Sequence, residues 1–177
     1  MTNVELNAIA LSEFFGKTIS NAACYSAFDK TFFIYNGIIW DASQQESVMA
    51  GIAKRFIKHC LSVLDMKIKA LEKELESGKD DEEKNSDKKA ELDKAHALYN
   101  YYKAQSSFGV RSKLIADVKN EVTVDHEQFD RDPYFLNLQN GTLNLNTLEL
   151  QPHRPSDYLT QVLITLEGLA VPLLKLP

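Results

Sequence analysis

The spacing of apolar residues changes along the chain, and its strongest pattern predicts a pair of long helices. From Val48 to Leu75, apolar residues recur at gaps of three and four, as on one buried face of an α-helix. A polar stretch without an apolar residue, 76–89, follows. A second periodic run then places these residues on one face: Leu92, Ala95, Tyr99, Tyr102 and Phe108. The two runs predict an antiparallel helical hairpin over 46–108 with a polar loop over 77–87.

Shorter helical patterns lie on either side of this hairpin. The run VELNAIALSEFF at 4–15 predicts a helix that Gly16 closes as a C-terminal cap. At the other end, Gly109 is expected to end the second long helix. The run RSKLIADVKNEV at 111–122 predicts a third helix with Leu114, Ile115 and Val118 buried.

Two segments have the composition of short strands. Between residues 23 and 43, aromatic and β-branched residues predict two or three strands, with turns at Asp29-Lys30 and Asn36-Gly37. The run FLNLQNGTLNL predicts a hairpin that turns at Asn140-Gly141, because this pair readily takes positive φ angles. The sequence therefore predicts a helix-dominated α+β fold, with a long antiparallel helical hairpin flanked by small β-hairpins.

Composition and charge narrow the function classes. The chain has 177 residues, 44% of them hydrophobic, and a formal net charge of -5, so contact with DNA requires a local basic cluster. No apolar run is long enough to span a bilayer, and the start of the chain does not resemble a signal peptide. Its two cysteines are too few and too far apart for a disulfide framework. We expect a cytoplasmic protein without a membrane partner.

Candidate catalytic motifs are incomplete. Gly16-Lys17-Thr18 has the end of a phosphate-binding loop but lacks the glycine five residues before Gly16, so we expect no ATP binding. Asp130 and Asp132 form an Asp-x-Asp pair of the type that holds Mg²⁺ in nucleotidyl transferases. The alternative is a polar loop in which both residues cap turns ahead of Pro133. No histidine or cysteine has partners at ligand spacing, so we predict no metal centre and no cofactor.

Basic residues form two groups that could bind nucleic acid. The first lies along the first long helix and includes Lys54, Arg55 and Lys58; we interpret it as a solvated helix face. The second surrounds Gly109 and has aromatic residues nearby, a combination suited to a single strand. The predicted DNA-binding residues are those of this second group: Lys103, Arg111, Lys113 and Lys119.

The segment FDRDPYFLNLQNGTLNLNTLELQPHRPSDYLTQV at 129–162 resembles the region just ahead of the ATPase in phage, plasmid and poxvirus-type primase–helicases. FIYNGIIW at 33–40 resembles the Asp-Gly-x-x-Trp hairpin of the same family. The resemblance covers about residues 20–162. The positions that carry it are Gly37, Trp40, Asp130, Pro133, Asn137, Asn140, Gly141, His153 and Tyr158. Three positions depart from the family pattern: Asn144 replaces an Asp, Leu148 a Gly and Arg154 an acidic residue.

The resemblance implies a DNA-replication module of a mobile element, with domain bounds of 1–162 and no catalytic activity. It implies binding to single-stranded or duplex DNA, to helicase subunits or to other copies of itself. Two alternatives stay open: a free-standing protein that interferes with a replication helicase, and a metal-dependent primase-like enzyme that uses Asp130 and Asp132.

The C-terminal tail, LITLEGLAVPLLKLP at 163–177, is apolar and unlike the family. No phosphate-binding loop of a helicase motor follows the resembling segment in this sequence. We therefore expect a truncation, a shifted reading frame or an artificially chosen chain end after residue 162. The tail is an exposed apolar patch unless it docks on the domain or on a partner.

Overall fold

The computed structural model describes residues 7–43, 45–77 and 82–163, and it confirms a helix-dominated α+β fold. No helix in these ranges is long and apolar enough to cross a membrane. The predicted tail at 163–177 lies outside the described residues, apart from Leu163. The helices and strands, in chain order, are α1 (Ala8–Ile19), β1 (Ala23–Ser26), β2 (Thr31–Tyr35), β3 (Trp40–Asp41), α2 (Gln45–Glu76), α3 (Glu82–Ala104), α4 (Phe108–Glu121), β4 (Thr123–Val124), β5 (Phe135–Leu138), β6 (Gly141–Asn144) and β7 (Glu149–Gln151).

The chain divides into two compact units. Unit 1 comprises Met1–Lys17 and Glu46–Glu121, and unit 2 comprises Thr18–Gln45 and Val122–Pro177. The helices lie almost entirely in unit 1, whereas all seven strands lie in unit 2. The bounds of 1–162 for one whole domain stay a prediction.

Ion pairs show that α2 and α3 form the predicted antiparallel hairpin. Lys67 Nζ lies 2.6 Å from Glu91 Oε1, and Lys88 Nζ lies 2.8 Å from Glu74 Oε2. Residue numbers rise along α2 as they fall along α3, as an antiparallel pair requires. The periodic face of α2 is buried at Met49, Ala53, Ile57, Ile68 and Leu71, and α3 contributes Ala95 to the buried core.

The polar loop of this hairpin is shorter than the predicted 77–87. Helix α3 begins at Glu82, so residues 82–87 are helical and the prediction is wrong there. Glu82 and Glu83 occupy the first turn of α3, where carboxylates interact favourably with the positive end of the helix dipole. A stretch without apolar residues can therefore still be helical. Residues 78–81 lie outside the described residues.

Gly16 lies inside a helix and is not the predicted C-terminal cap. Helix α1 continues to Ile19. A β-carbon added at Gly16 would lie 2.5 Å from the Cβ of Glu121 in α4, so the missing side chain allows close approach between the two helices. Tertiary contact, and not chain reversal, explains the glycine.

Gly109 likewise does not end a helix. Helix α3 ends at Ala104, and Gly109 is the second residue of α4. The break between the helices removes Phe108 from the predicted apolar face, and this side chain is 75% exposed. The third helix is confirmed, with Leu114 and Val118 buried in α4, whereas Ile115, which was also predicted to be buried, is half-buried.

Unit 2 contains two small sheets. The first has the strand order β3-β2-β1-β4, in which β1 and β2 form an antiparallel hairpin and β4 pairs with β1 in parallel. The second is an antiparallel meander with the order β5-β6-β7. The predicted turns at Asp29-Lys30 and Asn36-Gly37 are present, with Lys30 at φ 56° and Gly37 at φ 100°.

The β5–β6 hairpin turns one residue earlier than predicted. Leu138 pairs with Gly141, so the two loop residues are Gln139 and Asn140. Gly141 has φ 152°, and a β-carbon there would lie 2.6 Å from the Gln151 carbonyl oxygen in β7. The glycine is needed because β7 lies close to this backbone, whereas the predicted role was to occupy the centre of the turn.

Candidate functional site

Trp40, the one tryptophan of the chain, holds the first sheet of unit 2 to the segment that ends the family motif. Its indole Nε1 donates a hydrogen bond of 2.9 Å to the Pro155 carbonyl oxygen, and its backbone N–H donates to the Leu159 carbonyl oxygen at 2.9 Å. Its ring stacks on Tyr158, with an interplanar angle of 10°. The side chain is 2% exposed, so its packing fixes the two segments together.

Asn137 joins three parts of unit 2 through one buried amide. Its Nδ2 donates to the Ile38 carbonyl oxygen at 3.1 Å and to the Gln161 carbonyl oxygen at 2.9 Å. Its Oδ1 accepts a hydrogen bond of 3.3 Å from the Thr142 hydroxyl. A buried amide with both donors and its acceptor engaged is a structural connector.

Asp130 fixes the same terminal segment from the other side. Its carboxylate accepts hydrogen bonds from the backbone N–H of Thr160, at 2.9 Å, and from the Thr160 hydroxyl. Its own N–H donates to the Tyr158 carbonyl oxygen at 3.1 Å. Both Asp130 and Tyr158 have a φ of 50°, in the left-handed region. Burial also raises the pKa of Tyr158, which keeps its hydroxyl protonated.

The Asp130 and Asp132 pair therefore has a structural task. Asp132 Oδ1 accepts a hydrogen bond of 2.9 Å from the backbone N–H of Tyr134, which closes the turn around Pro133. Within 7–43, 45–77 and 82–163, no group of three or more His, Cys, Asp or Glu side chains could hold a metal ion. These contacts support the turn-capping interpretation of the pair over the metal-binding one.

The remaining motif positions lie in turns. Gly37 permits the β2–β3 turn, where the Asn36 carboxamide oxygen accepts from the N–H groups of Ile38 and Ile39, both at 2.9 Å. Asn140 is an exposed loop residue of the β5–β6 hairpin. His153 Nε2 lies 3.4 Å from the Gln139 carbonyl oxygen of that hairpin. These positions shape the backbone of unit 2.

A groove of about 470 Å³ lies beside the motif. Its charged lining consists of Arg131, Asp132 and Asp157, and its aromatic lining of Tyr134, Phe135 and Tyr158. One guanidinium and two carboxylates line the groove, so its formal charge is only slightly negative. The groove consequently does not select strongly for an anion or a cation.

The cysteines are not activated. Burial raises the pKa of the Cys24 thiol to about 12, and burial also raises the pKa of Cys60. The nucleophilic form of a cysteine is the thiolate, which both environments disfavour at neutral pH.

We call Lys103, Arg111, Lys113 and Lys119 the α3–α4 basic cluster; all four belong to unit 1. Lys103 and Lys113 are exposed, whereas Arg111 and Lys119 are half-buried. The Arg111 guanidinium donates a hydrogen bond to the Ser106 carbonyl oxygen, so it also stabilises the connection between the helices. At 100° per residue, Arg111 and Lys113 lie about 160° apart around α4, so the cluster does not form a single face.

Phe108 is a feature that the sequence pattern concealed. Apolar spacing assigned it to the hairpin core, yet it is the first residue of α4 and is exposed. The adjacent serines, Ser106 and Ser107, favour non-helical backbone and could have indicated a helix boundary there. Thr142 and Thr160 were missed as well, because their importance depends on side-chain hydrogen bonds, to Asn137 and to Asp130, that residue spacing does not reveal.

The comparison with protein families decides the classification. The family model described as D5 N terminal like matches residues 10–165 of the chain. The chain belongs to this family. The D5 N terminal like match corresponds to the region ahead of the helicase in primase–helicases and makes the chain a replication-associated module, as the sequence resemblance implied. No curated protein matches the chain.

The D5 N terminal like classification fits the geometry of the motif. Trp40 and Asn137 tie together parts of the chain that are about a hundred residues apart in sequence, through the hydrogen bonds from Trp40 to Pro155 and from Asn137 to Ile38. Asp130 joins segments that are about thirty residues apart. Of the departures, Asn144 preserves the turn, since its carboxamide oxygen accepts from Asn146 N at 2.9 Å and Thr147 N at 3.3 Å. Leu148 keeps a positive φ of 60° without being glycine.

Proposed function

We propose that this D5 N terminal like chain is a non-catalytic replication module of a phage or plasmid-type mobile element that binds DNA through unit 1. It acts in the cytoplasm and uses the α3–α4 basic cluster without reading base sequence. The family supplies the link to replication. The acidic net charge of -5 means that attraction to phosphate must be local.

The observation that carries the proposal is the exposure of Phe108 beside basic residues. Phe108 and the cations Arg111 and Lys113 lie on the first two turns of α4, and Lys103 lies in the last turn of α3. Single-stranded DNA is held by cations along the backbone and by aromatic rings on which bases stack. Phe108 lies five residues from Lys103 and five from Lys113 along the chain, so this segment carries groups for both kinds of contact.

The test is binding of a dye-labelled single-stranded oligonucleotide, measured by fluorescence anisotropy at low salt. Phe108→Ala should weaken binding by roughly 1–3 kcal/mol, the range for loss of one stacked base. The logarithm of the binding constant falls as the logarithm of the salt concentration rises, and we call the slope of this line the log–log salt slope. Lys103→Gln with Lys113→Gln should reduce its magnitude by about 1.4, since each single-strand phosphate contact contributes about 0.7. Lys103 and Lys113 are better targets than Arg111, whose guanidinium also holds the Ser106 carbonyl oxygen.

The matched control is Phe28→Ala, which removes an equally exposed aromatic ring from unit 2. It should leave DNA affinity unchanged. An affinity that is insensitive to Phe108→Ala and to the lysine double variant would contradict this binding site. Absence of binding by the unmutated protein at low salt would contradict the proposal as a whole.

A second candidate function is docking on helicase subunits or on further copies of this chain, and a leucine face favours it. Leu136, Leu143 and Leu150 are directly opposite one another across the β5-β6-β7 sheet, so their side chains project from the same face. Leu150 is 49% exposed, and Leu136 and Leu143 are only half-buried. Apolar surface of this kind favours a protein partner. A free module that occupies such a partner would interfere with the helicase.

Sedimentation velocity and co-purification with a replication helicase test this second function. Leu143→Thr with Leu150→Thr should abolish association and keep the strands, because threonine is a good strand former. Thr147→Ser, in the adjacent turn, is the control. Association that survives the double threonine variant would exclude the leucine face.

A further inference from the structure

The N-terminal half of α2 is more basic than the net charge of the whole chain suggests. From Ser47 to Leu64, this helix has no acidic residue, although the chain as a whole is acidic. Lys54, Arg55 and Lys58 fall within this stretch, and all three are exposed. We call these three residues the α2 basic face. The sequence alone favoured an ordinary solvated surface for them.

Ion pairing distinguishes this face from three lysines farther along the hairpin. Lys67 pairs with Glu91, Lys69 with Asp65 at 2.7 Å, and Lys88 with Glu74. Within the described ranges, Lys54, Arg55 and Lys58 have no carboxylate within ion-pair distance. Their charges are thus neutralised by solvent ions, which a polyanion can displace.

The neighbouring positions on this face are small or hydroxyl-bearing. Ser47, Gly51 and Ser62 recur at intervals of four and eleven residues, which places them on the same side of α2 as the cations. The Arg55 guanidinium nitrogen Nη1 lies 3.5 Å from the position of a β-carbon at Gly51. The phosphate backbone of a nucleic-acid strand can approach such a surface closely, and serine hydroxyls commonly donate hydrogen bonds to phosphate oxygens.

The face also lacks an aromatic platform. Phe56, the aromatic residue between Ser47 and Leu64, is buried and contacts Phe15, with ring centroids 4.7 Å apart. The face therefore offers no exposed Phe, Tyr or Trp ring for stacking of unpaired bases, and the one exposed ring of this stretch is the imidazole of His59. Its main contacts are with the sugar–phosphate backbone, which duplex and single-stranded DNA share.

We infer that the α2 basic face binds the phosphodiester backbone of DNA, independently of sequence and of strandedness. The inference rests on the proposed role of the chain in binding DNA, and it adds a second site to that of Phe108. Three phosphate contacts contribute about -2.7 to the log–log salt slope with duplex DNA, at about -0.9 for each contact. With a single strand the same contacts contribute about -2.

The test compares two triple variants that remove the same charge. Lys54→Gln, Arg55→Gln and Lys58→Gln remove the α2 basic face, whereas Lys67→Gln, Lys69→Gln and Lys88→Gln remove three ion-paired lysines. A dye-labelled duplex of mixed sequence is titrated at several salt concentrations. The face variant should reduce the salt slope by about 2.7 and weaken duplex binding by at least roughly tenfold at 50 mM salt. The control variant should change both quantities little.

A second variant tests the face without removing a cation. Gly51→Glu places a carboxylate four residues before Arg55, where the two side chains can pair on the helix surface. Glycine is a poor helix former, so this change should also stabilise α2. It should weaken duplex binding several-fold, and the neutral Gly51→Gln should not.

The outcomes separate this inference from the proposed function. Equal weakening by the face and control triple variants would mean that only net charge matters, and would overturn the inference. Binding that is lost with Phe108→Ala but kept in the face variant would overturn the inference alone. No duplex or single-strand binding by the unmutated protein would overturn both.

Discussion

Single residues of this protein are held in conformations that their side chains disfavour, and Leu148 is the clearest case. It occupies the turn before β7 with a φ of 60°, and it is 62% exposed, so little packing compensates the strain. A leucine in left-handed backbone costs about 1–2 kcal/mol. The sequence resemblance places glycine at this position, which is the residue that avoids this cost.

We predict that Leu148→Gly stabilises the protein by about 0.5–1 kcal/mol. Relief of the strained backbone exceeds the extra entropy that glycine gives to the unfolded chain. Urea unfolding at neutral pH measures the change. Leu145→Gly is the matched control, because Leu145 is 44% exposed in the same turn but is not among the residues with positive φ. Destabilisation of equal size in both variants would mean that Leu148 is not strained.

Asp29 is a second single residue whose contribution to stability depends on pH. The Ser26 hydroxyl donates to Asp29 Oδ2 at 2.6 Å, and His126 Nδ1 lies 2.7 Å from the same oxygen. The Ser26 hydrogen bond, followed by the interactions with His126, lowers the pKa of Asp29. A lowered pKa in the folded state means that the ionised carboxylate stabilises the fold.

We predict that this stabilisation is fully present above the unfolded-state pKa of about 3.9 and disappears as the pH falls through the lower folded-state pKa. A carboxyl-detected NMR titration should show Asp29 titrating below that value. Ser26→Ala should move its pKa upward, since the serine hydrogen bond is the largest single cause of the shift. An ordinary Asp29 pKa in the unmutated protein would contradict the prediction.

At the scale of elements, glycines show where sequence patterns mislead. Gly16 looked like a helix end, but it lies within α1, at a close approach to Glu121 of α4. Gly51 lies in the second turn of α2, where an added β-carbon would meet only ordinary contacts. A close contact between helices requires glycine at position 16 but not at position 51, and periodicity cannot distinguish the two cases.

We predict opposite effects for alanine at these two positions. Gly51→Ala should stabilise the protein by about 0.5–1 kcal/mol through better helix propensity. Gly16→Ala should destabilise it by about 1–3 kcal/mol, because the new methyl group overlaps Glu121 and forces the helices to shift. Thermal unfolding followed by circular dichroism measures both. A stabilising Gly16→Ala would show that α1 and α4 are not in close contact.

The α2–α3 interface allows a similar comparison between two alanines. Ala95 is buried at 2% exposure, and Ala97, two residues later in α3, is exposed. Leucine at Ala95 should overpack the interface and cost about 1–3 kcal/mol. Leucine at Ala97 should be nearly neutral. If both variants unfold at the same urea concentration as the unmutated protein, the helices are not packed closely at Ala95.

The elements also show how far sequence reasoning reached. The α2 periodicity and the antiparallel pairing were predictable, because a long apolar stripe must be buried against a partner. The exposure of Phe108 was not predictable. Three non-helical residues follow Ala104, so the helical spacing before the break does not indicate which side chains are buried after it. The β5–β6 turn was misplaced by one residue because Gly141 is required by the nearby Gln151 carbonyl, a contact between separate strands. The basic residues could be counted from sequence, but their ion pairing could not.

At the scale of the whole molecule, unit 2 is assembled from two segments of the chain that lie on either side of Glu46–Glu121. Asn137 bridges these segments, since its amide donates to Ile38 in one and to Gln161 in the other. Its loss would leave the Ile38 and Gln161 carbonyl groups without this donor and the buried Thr142 hydroxyl without its acceptor, and each hydrogen bond contributes about 0.5–1.5 kcal/mol. The residues that carry the D5 N terminal like resemblance therefore stabilise unit 2.

We predict that Asn137→Ala destabilises unit 2 by about 2–4 kcal/mol through loss of these hydrogen bonds. Trp40 reports this specifically, because it is the one tryptophan of the chain and is buried in unit 2. Its fluorescence should shift to longer wavelength at a lower urea concentration in the variant. Asn140→Ala, in the exposed β5–β6 loop, is the control and should change the free energy of unfolding by less than about 0.5 kcal/mol. If the Trp40 transition stays at the same urea concentration in Asn137→Ala, the amide does not hold the two segments together, and the motif must act in another way.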